Sequence, residues 1–362
     1  MSESIDIRQL DGTAVTDAVR GQGYFPVIAG LGGSECVVVL RGGSGHMGLG
    51  GRLDAVRSTD GGLTWEPPVT VADSERDDRN PALGVAADGA LVLAYHWQGS
   101  YNAEGEYDTG RRRVDTRVIN SRDGGRTWEG DRPLGFKPLN GASPFGKIRR
   151  DGDGVLYMPI YAGGPALADL TPGVQVGDAD CPSYILRSGD GGATWADPLL
   201  VAVGLNEADL LLLPGGDWLF AARSEKRGEA AIYTCRSTDK GATWSQPLRV
   251  TGNSEHPPDL TLLSGGEVLL TFGCRNVPFG VQGLLSRDGG RSWDGRRLLY
   301  ADDLPGFDIG YPSTALLEGG RLVTVFYSAG TPEEPFNSYE AVNAFCRAVC
   351  YDEAALLAAC AD

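Results

Sequence analysis

One eight-residue segment recurs five times along the chain, and every copy runs from a serine through Asp and Gly to a tryptophan. The copies span Ser58–Trp65, Ser121–Trp128, Ser188–Trp195, Ser237–Trp244 and Ser286–Trp293. Aspartate accepts hydrogen bonds from backbone N–H groups across a turn, and glycine supplies positive φ, so each copy is interpreted as a hairpin turn. Five aspartates in five separate turns cannot meet at one substrate, which indicates a structural role. Recurrence of this kind predicts a propeller or a solenoid.

A second repeat, an apolar segment, a tight Gly-containing turn and another apolar segment, lies upstream of the octapeptides. Its six copies occupy residues 26–41, 81–97, 146–161, 208–223, 259–275 and 313–328. Two apolar segments joined by a tight turn are typical of adjacent antiparallel strands. The chain is therefore predicted to form an all-β, six-bladed β-propeller, with residues 1–362 as a single domain. Residues 4–15 are expected to complete the last blade, because closure of that kind leaves only short, protected strand edges.

Composition narrows the classes of partner. The 53 glycines and 21 prolines suit an all-β chain with many turns, and the formal net charge of −16 makes nucleic acid and anionic membranes poor partners. The seven cysteines lack metal-ligand spacing and His46, His96 and His256 lie far apart, so buried free thiols are expected, with no metal and no cofactor. No signal peptide is visible at the N-terminus, and a cytoplasmic location is expected.

The repeat also predicts which residues surround one mouth of the central channel. Residues just before each first strand and just after each second strand meet at the same face. They are Tyr24, Phe25, Asp78, Arg79, Asn80, Ser143, Asn206, Glu207, His256 and Tyr311 before the first strands, and Arg41, His96, Trp97, Tyr161, Arg223, Arg275 and Tyr327 after the second. Arginine binds carboxylates well because its planar fork donates two parallel hydrogen bonds. The four arginines, with His96, are therefore candidate ligands of an acidic substrate, although such arginines also pair with nearby acids.

The octapeptides resemble the Asp boxes of the sialidase (neuraminidase) superfamily, and this resemblance covers nearly the whole chain. The site residues are similar to those of bacterial exo-α-sialidases. The resemblance implies that Tyr311 is the nucleophile, that Glu207 takes its proton, and that Arg223 and Arg275 grip a substrate carboxylate.

The chain departs from that family in two places. Tyr24, Phe25 and Pro26 stand where the family has an Arg-Ile-Pro motif, so one arginine of its carboxylate-binding triad is missing; Arg41 or Arg79 is expected to replace it. The family's acid/base aspartate is also missing. His46 occupies roughly its place and is the first candidate for general acid or base, because the pKa of histidine suits neutral pH. Asp78 is the second candidate.

Three functions follow from these observations. The first is an exo-acting glycoside hydrolase that releases an acidic terminal sugar, either sialic acid or a related carboxylate sugar, from a small carbohydrate or a glycan end. The alternative is a non-catalytic glycan-binding propeller that kept the pocket and lost the acid/base group. A scaffold propeller that binds protein is a third, and the arginine cluster speaks against it.

Overall fold

The fold is a β-propeller of six blades, each built mainly from antiparallel strands, as the sequence predicted. It is seen in a computed structural model that describes residues 4–108, 114–162, 181–224, 230–330 and 343–361. The innermost strands of neighbouring blades contact one another around the central channel.

The strands follow the chain blade by blade. Two strands precede the first blade: β1 (Ile5–Asp6) and β2 (Ala14–Arg20). Blade one contains β3 (Tyr24–Gly32), β4 (Glu35–Gly42), β5 (Arg52–Ser58) and β6 (Val69–Ala72). Blade two contains β7 (Asp77–Val85), β8 (Leu91–Gln98), β9 (Val114–Ser121) and β10 (Glu129–Pro133).

Blade three has an innermost edge broken into β11 (Ser143–Pro144), β12 (Gly146–Lys147) and β13 (Arg149–Arg150), followed by β14 (Leu156–Tyr161), β15 (Pro182–Ser188) and β16 (Ala196–Val203). The fragment β12 pairs in parallel with β7 of blade two, whereas β11 and β13 pair with β14. Blade four contains β17 (Leu205–Leu212), β18 (Trp218–Ser224), β19 (Ile232–Ser237) and β20 (Leu248–Arg249).

Blade five contains β21 (Glu255–Leu262), β22 (Val268–Cys274), β23 (Gly280–Ser286) and β24 (Leu298–Ala301). Blade six contains β25 (Ile309–Leu316), β26 (Arg321–Ala329) and β27 (Ala344–Asp352), after which the helix α1 (Glu353–Ala359) packs on the fold. None of the helices in the described residues is long and apolar enough to span a membrane.

The outermost strand of blade six comes from the N-terminal part of the chain. Strand β2 pairs antiparallel with β27, with Thr16 opposite Ala348. The predicted segment, residues 4–15, begins too early: β1 adds in parallel to β24 of blade five instead. Between the two strands a 3₁₀ turn starts at Asp6, whose carboxylate accepts the N–H of Arg8, and the chain can pair with β27 only after it.

The five octapeptides connect the third and fourth strands of blades one to five. In blade one, Asp60 accepts hydrogen bonds from the backbone N–H of Thr64 at 2.9 Å and from its hydroxyl at 2.6 Å, while Ser58 accepts the N–H of Gly62 at 2.9 Å. The tryptophan packs into the core, as Trp195 does with 4% exposure. Blade six lacks the octapeptide because its fourth strand is β2, so no turn joins its third and fourth strands.

Charged side chains occupy the channel between the innermost strands. Lys147 Nζ lies 2.6 Å from Asp259 Oδ1 and donates to the carbonyl of Thr314 at 2.7 Å. Arg149 Nη2 lies 2.7 Å from Asp209 Oδ2. Buried charges need such partners, and these bonds join blades four, five and six to the inner edge of blade three. All seven cysteines are free thiols, as expected from their spacing, and all except Cys181 are buried.

Candidate active site

A cavity of about 500 Å³ opens at the end of the channel where the innermost strands begin. Its lining comes from the starts of first strands, the ends of second strands and the segments after β4 and β8. The lining residues are Phe25, His46, Met47, Arg79, Asn80, His96, Gln98, Tyr107, Tyr161, Glu207, Arg223, Arg275 and Tyr311. The size and the mixed lining are those of a site for a small molecule such as a monosaccharide.

β-Bulges direct four side chains into this cavity. Phe25, Asn80, Glu207 and Tyr311 have φ values of 53°, 52°, 38° and 47°, and each lies at a register shift near the start of an innermost strand. Positive φ is uncommon for residues other than glycine, and such strain concentrates at functional sites. A bulge re-aims a side chain out of the regular alternation, so here the backbone itself turns these groups toward the channel mouth.

Tyr311 and Glu207 form the central pair of the cavity. The Tyr311 hydroxyl donates to Glu207 Oε1 at 2.5 Å, and Arg223 Nη1 donates to Glu207 Oε2 at 2.7 Å. Burial alone would raise the pKa of Glu207, but Arg223 and the Tyr311 hydroxyl outweigh it and hold that pKa below its usual range. Burial and the Glu207 carboxylate raise the pKa of Tyr311. At neutral pH the tyrosine keeps its proton, and an ionised carboxylate is in place to accept it.

Two more arginines line the cavity. The Arg275 guanidinium lies 5.6 Å from the centre of the Tyr311 ring, and its Nη2 donates to the carbonyl of Ile309 at 3.3 Å. Arg79 lies 5.5 Å from the Phe25 ring and donates to Met47 Sδ at 2.8 Å. Three guanidinium groups and one carboxylate thus line the described cavity, which favours an anionic ligand.

Arg41 was predicted as a substrate ligand, but the structure places it outside the cavity lining. Its side chain is fully buried, and Nε and Nη2 donate to Asp77 Oδ1 at 2.9 and 2.7 Å. Arg41 also donates to the carbonyls of Ser44 at 3.4 Å and Gly48 at 3.2 Å, so it holds the loop that carries His46. The loop folds over the end of β4 and covers the guanidinium that repeat position alone would have exposed.

Asp78 was predicted as the second acid/base candidate, and the structure places it away from the cavity as well. Its carboxylate accepts the backbone N–H of Ser74 at 2.8 Å and the Ser74 hydroxyl at 2.9 Å. Burial raises the pKa of Asp78 to about 6. Adjacent residues of a strand face opposite sides, so Arg79 reaches the cavity and Asp78 does not.

His46 lies in the cavity wall and is hydrogen bonded to Asp308. Its Nδ1 lies 2.9 Å from Asp308 Oδ1, and the same oxygen accepts the Tyr327 hydroxyl at 2.6 Å. Burial lowers the pKa of His46, and Asp308 opposes that effect only in part. Burial alone would raise the pKa of Asp308, but the bonds from His46 and Tyr327 hold it below its usual range.

The opposite wall is polar and carries no charge. His96 Nδ1 lies 2.8 Å from Ser143 Oγ, which also accepts from Asn80 at 2.9 Å, and Asn80 reaches the Tyr161 hydroxyl at 3.3 Å. His96 Nε2 has no hydrogen-bond partner among the described residues. Burial and the nearby Arg79 lower the pKa of His96 to about 3, so this imidazole is neutral. Such a wall suits sugar hydroxyl groups.

The structure brings together seven of the nine residues singled out from the sequence. They are Tyr311, Glu207, His46, Arg223, Arg275, Arg79 and His96. Sequence reasoning missed Asp308, which precedes β25 and approaches His46 only in the folded chain. The one sequence feature that could have indicated Asp308 is its position just before the predicted nucleophile, Tyr311. Among the described residues, no group of three or more His, Cys, Asp or Glu side chains could hold a metal ion.

The fold and the cavity together define a β-propeller of the sialidase type. The chain belongs to the BNR repeat-like domain family, whose profile matches residues 53–324. No curated protein sequence matches the chain.

Solved structures share this fold. A protein of unknown function from Dyadobacter fermentans aligns with a TM-score of 0.76 and 21% identity over 95% of this chain and 99% of its own. The Hadza microbial sialidase Hz136 aligns with a TM-score of 0.64 and 18% identity over 92% of this chain. A Trypanosoma rangeli sialidase mutant displaying trans-sialidase activity aligns with a TM-score of 0.66 and 14% identity over 99% of this chain. This chain spans 66% and 61% of those two sialidase chains.

Proposed function

We propose that this protein is an exo-acting glycoside hydrolase of the sialidase type that releases an acidic terminal sugar. The observation that carries the proposal is the 2.5 Å hydrogen bond from Tyr311 to Glu207 inside an arginine-lined cavity. A tyrosine nucleophile is a recognised exception to the two-carboxylate mechanism of glycosidases. The charged pairs around Lys147 and Arg149 occupy the channel beyond the cavity, so the site suits a chain end better than a chain interior.

In the proposed first step, the Tyr311 oxygen attacks the anomeric carbon while its proton passes to Glu207. The bond from the anomeric carbon to the leaving-group oxygen breaks, that oxygen takes a proton from a separate general acid, and a sugar–Tyr311 bond forms. Water then attacks the same carbon and gives a proton to that same group, now a base, while the bond to Tyr311 breaks and the phenolate recovers its proton from Glu207. A phenol of raised pKa needs a base of this kind at neutral pH. Arg223 and Arg275 oppose the rise in the pKa of Tyr311 and stabilise the developing phenolate.

A substrate carboxylate is proposed to bind among Arg275, Arg223 and Arg79. Arg79 is favoured over Arg41 as the replacement for the missing triad arginine, because Arg79 lines the cavity above Phe25 whereas Arg41 is enclosed with Asp77. Sialic acid, a related keto-acid sugar and a uronic acid all carry the required carboxylate. The neutral wall of His96, Asn80 and Tyr161 would then face the sugar hydroxyls.

Turnover of a panel of 4-methylumbelliferyl glycosides tests the proposal, with sialic acid, keto-acid sugars and uronic acids as the glycones. Wild type should hydrolyse at least one acidic glycoside, and Tyr311→Phe should lose about 10³-fold or more of kcat. Tyr233→Phe is the matched control, because Tyr233 lies in β19, outside the cavity, and should keep its activity. A folded wild type that binds a sugar acid in calorimetry without turning over any acidic glycoside would favour the non-catalytic glycan-binding propeller.

A further inference from the structure

Resting on the proposed hydrolase function, we infer that His46 is the general acid/base and that Asp308 is its positioning residue. The inference rests on three features of the site: His46 lines the same cavity as Tyr311, its Nδ1 is held at 2.9 Å by Asp308, and the carboxylate of Asp308 is itself fixed by Tyr327. A histidine–aspartate pair drawn from two different blades thus replaces a single carboxylic acid.

The geometry fixes which imidazole nitrogen can exchange a proton. A carboxylate only accepts hydrogen bonds, so the Nδ1 atom of His46 carries the proton that faces Asp308. The other nitrogen, Nε2, is then the basic atom of the neutral ring. Aromatic rings hold the imidazole in place: the Phe25 ring meets it edge to face at 4.9 Å between centroids, and the Tyr24 ring at 6.0 Å.

The charged and titratable groups around His46 come from several elements. Asp308 and Tyr327 lie on the blade-six side, Tyr24 and Arg41 belong to blade one, and Arg79 belongs to blade two. Asp308 favours the imidazolium form, whereas burial, Arg79 and Arg41 disfavour it. The pKa of His46 therefore lies below its ordinary value, and the Asp308 carboxylate opposes that decrease by favouring the imidazolium.

The proton transfers balance over the two steps. In the first step His46 Nε2–H gives its proton to the leaving-group oxygen as the glycosidic bond breaks, which leaves a neutral imidazole. In the second step Nε2 takes a proton from the attacking water as the sugar–Tyr311 bond breaks. His46 ends as it began, and Asp308 stays ionised throughout and orients the ring.

This assignment predicts an acidic optimum. The free enzyme needs protonated His46 and ionised Glu207 for the first step. Since the pKa of His46 is lowered from 6.5, kcat/KM should fall as pH rises through that lowered pKa, by up to tenfold per pH unit. On the acid side, activity should fall only below the lowered pKa of Glu207.

The experiment compares leaving groups and pH profiles in His46→Ala, His46→Asp and Asp308→Asn. On the 4-methylumbelliferyl glycoside, whose phenolic leaving group needs little protonation, the glycosylation step of His46→Ala should be nearly unimpaired. On the corresponding methyl glycoside, kcat/KM should fall about 10²–10⁴-fold. His46→Asp should recover part of that loss. Asp308→Asn should move the alkaline limb of the kcat/KM profile to lower pH, a change that a merely structural residue would not produce.

The inference alone is overturned if Tyr311→Phe abolishes turnover while His46→Ala loses equally on both leaving groups, or if Asp308→Asn leaves the alkaline limb in place. A wild type that turns over no acidic glycoside overturns the hydrolase proposal and this inference together. NMR spectra of the Asp308→Asn variant provide the stability control. A dispersed backbone spectrum shows that the variant is folded, and the imidazole ¹⁵N shifts then give the pKa of His46. A lowered pKa supports the inference, and an unchanged pKa contradicts it.

Discussion

Replacement of Arg41 by methionine distinguishes a structural arginine from a substrate ligand. Arg41 and Asp77 are both fully buried, and two hydrogen bonds of 2.7 and 2.9 Å join them. Methionine fills much of the volume but leaves the Asp77 carboxylate without its main partner. Tyr101 at 2.6 Å and Arg79 at 3.4 Å would remain to hold that charge.

The expected loss is large because the charge left behind is buried. Breaking a buried ion pair by removing one partner costs about 3–5 kcal/mol, against a total stability of about 5–15 kcal/mol for a typical domain. The double variant Arg41→Met/Asp77→Asn should regain part of that loss, since the amide can still accept from Tyr101 and carries no charge. Breaking an exposed ion pair would lower the unfolding free energy by only about 0–1 kcal/mol.

Urea unfolding followed by tryptophan fluorescence measures the stability, and steady-state kinetics of the folded protein measures KM for the acidic glycoside. Arg275→Met is the comparison, because Arg275 lines the cavity and its guanidinium donates a 3.3 Å hydrogen bond to the carbonyl of Ile309. It should keep most of its stability and raise KM about 10- to 100-fold, as expected for a lost charge-assisted hydrogen bond. The reasoning fails if Arg41→Met unfolds at the wild-type urea concentration and raises KM as Arg275→Met does.

Three further predictions concern the fold around the site. The pKa of His96 is about 3 in the folded protein and 6.5 in the unfolded chain, so only the unfolded chain binds the proton between those values. From about pH 7 to about pH 5 the unfolding free energy of wild type should therefore fall by about 2 kcal/mol relative to that of His96→Gln. Urea unfolding at the two pH values measures this change, and an equal change in both proteins would contradict it. Asp123→Ala removes four hydrogen bonds from an octapeptide turn, so the unfolding free energy should fall by about 2 kcal/mol while turnover stays unchanged. Loss of turnover in the folded variant would show that the octapeptide is not purely structural. Gly192→Ala places a Cβ 2.6 Å from Val92, whereas the Cβ of Gly191→Ala meets nothing closer than 4.0 Å. In thermal unfolding the Gly192 variant should therefore be about 1–3 kcal/mol less stable than the Gly191 variant. Equal unfolding midpoints for the two variants would contradict this.

The blade plan could be read from the sequence because it depends on local chemistry repeated several times. Each octapeptide specifies its own turn through an aspartate that bonds to the N–H group four residues later, and this needs no distant partner. The paired apolar segments specify adjacent strands in the same way. Copies of one local pattern reinforce each other, so the number of blades was predictable although their order around the channel was not directly encoded.

The site was predictable only as far as equivalent repeat positions remain equivalent in the fold. Arg41 and Arg223 both lie at the end of the second strand of a blade, but the loop after β4 folds back over Arg41, whereas Arg223 lines the cavity. Asp78 and Arg79 are neighbours in sequence and face opposite ways. Asp308 meets His46 across 262 residues, a contact that no local pattern indicates.

The backbone strain at the cavity bears on the choice among the proposed functions. Phe25, Asn80, Glu207 and Tyr311 each adopt positive φ, a conformation that costs an ordinary residue about 1–3 kcal/mol. A scaffold does not need side chains turned into the channel mouth, so these four bulges have no purpose in a propeller that only binds protein on its outer surfaces. These four of the seven described non-glycine residues with positive φ line one cavity, together with three arginines and a hydrogen-bonded tyrosine–glutamate pair. That coincidence favours a ligand-binding or catalytic site over a scaffold, and the short bond from Tyr311 to Glu207 favours catalysis over binding alone.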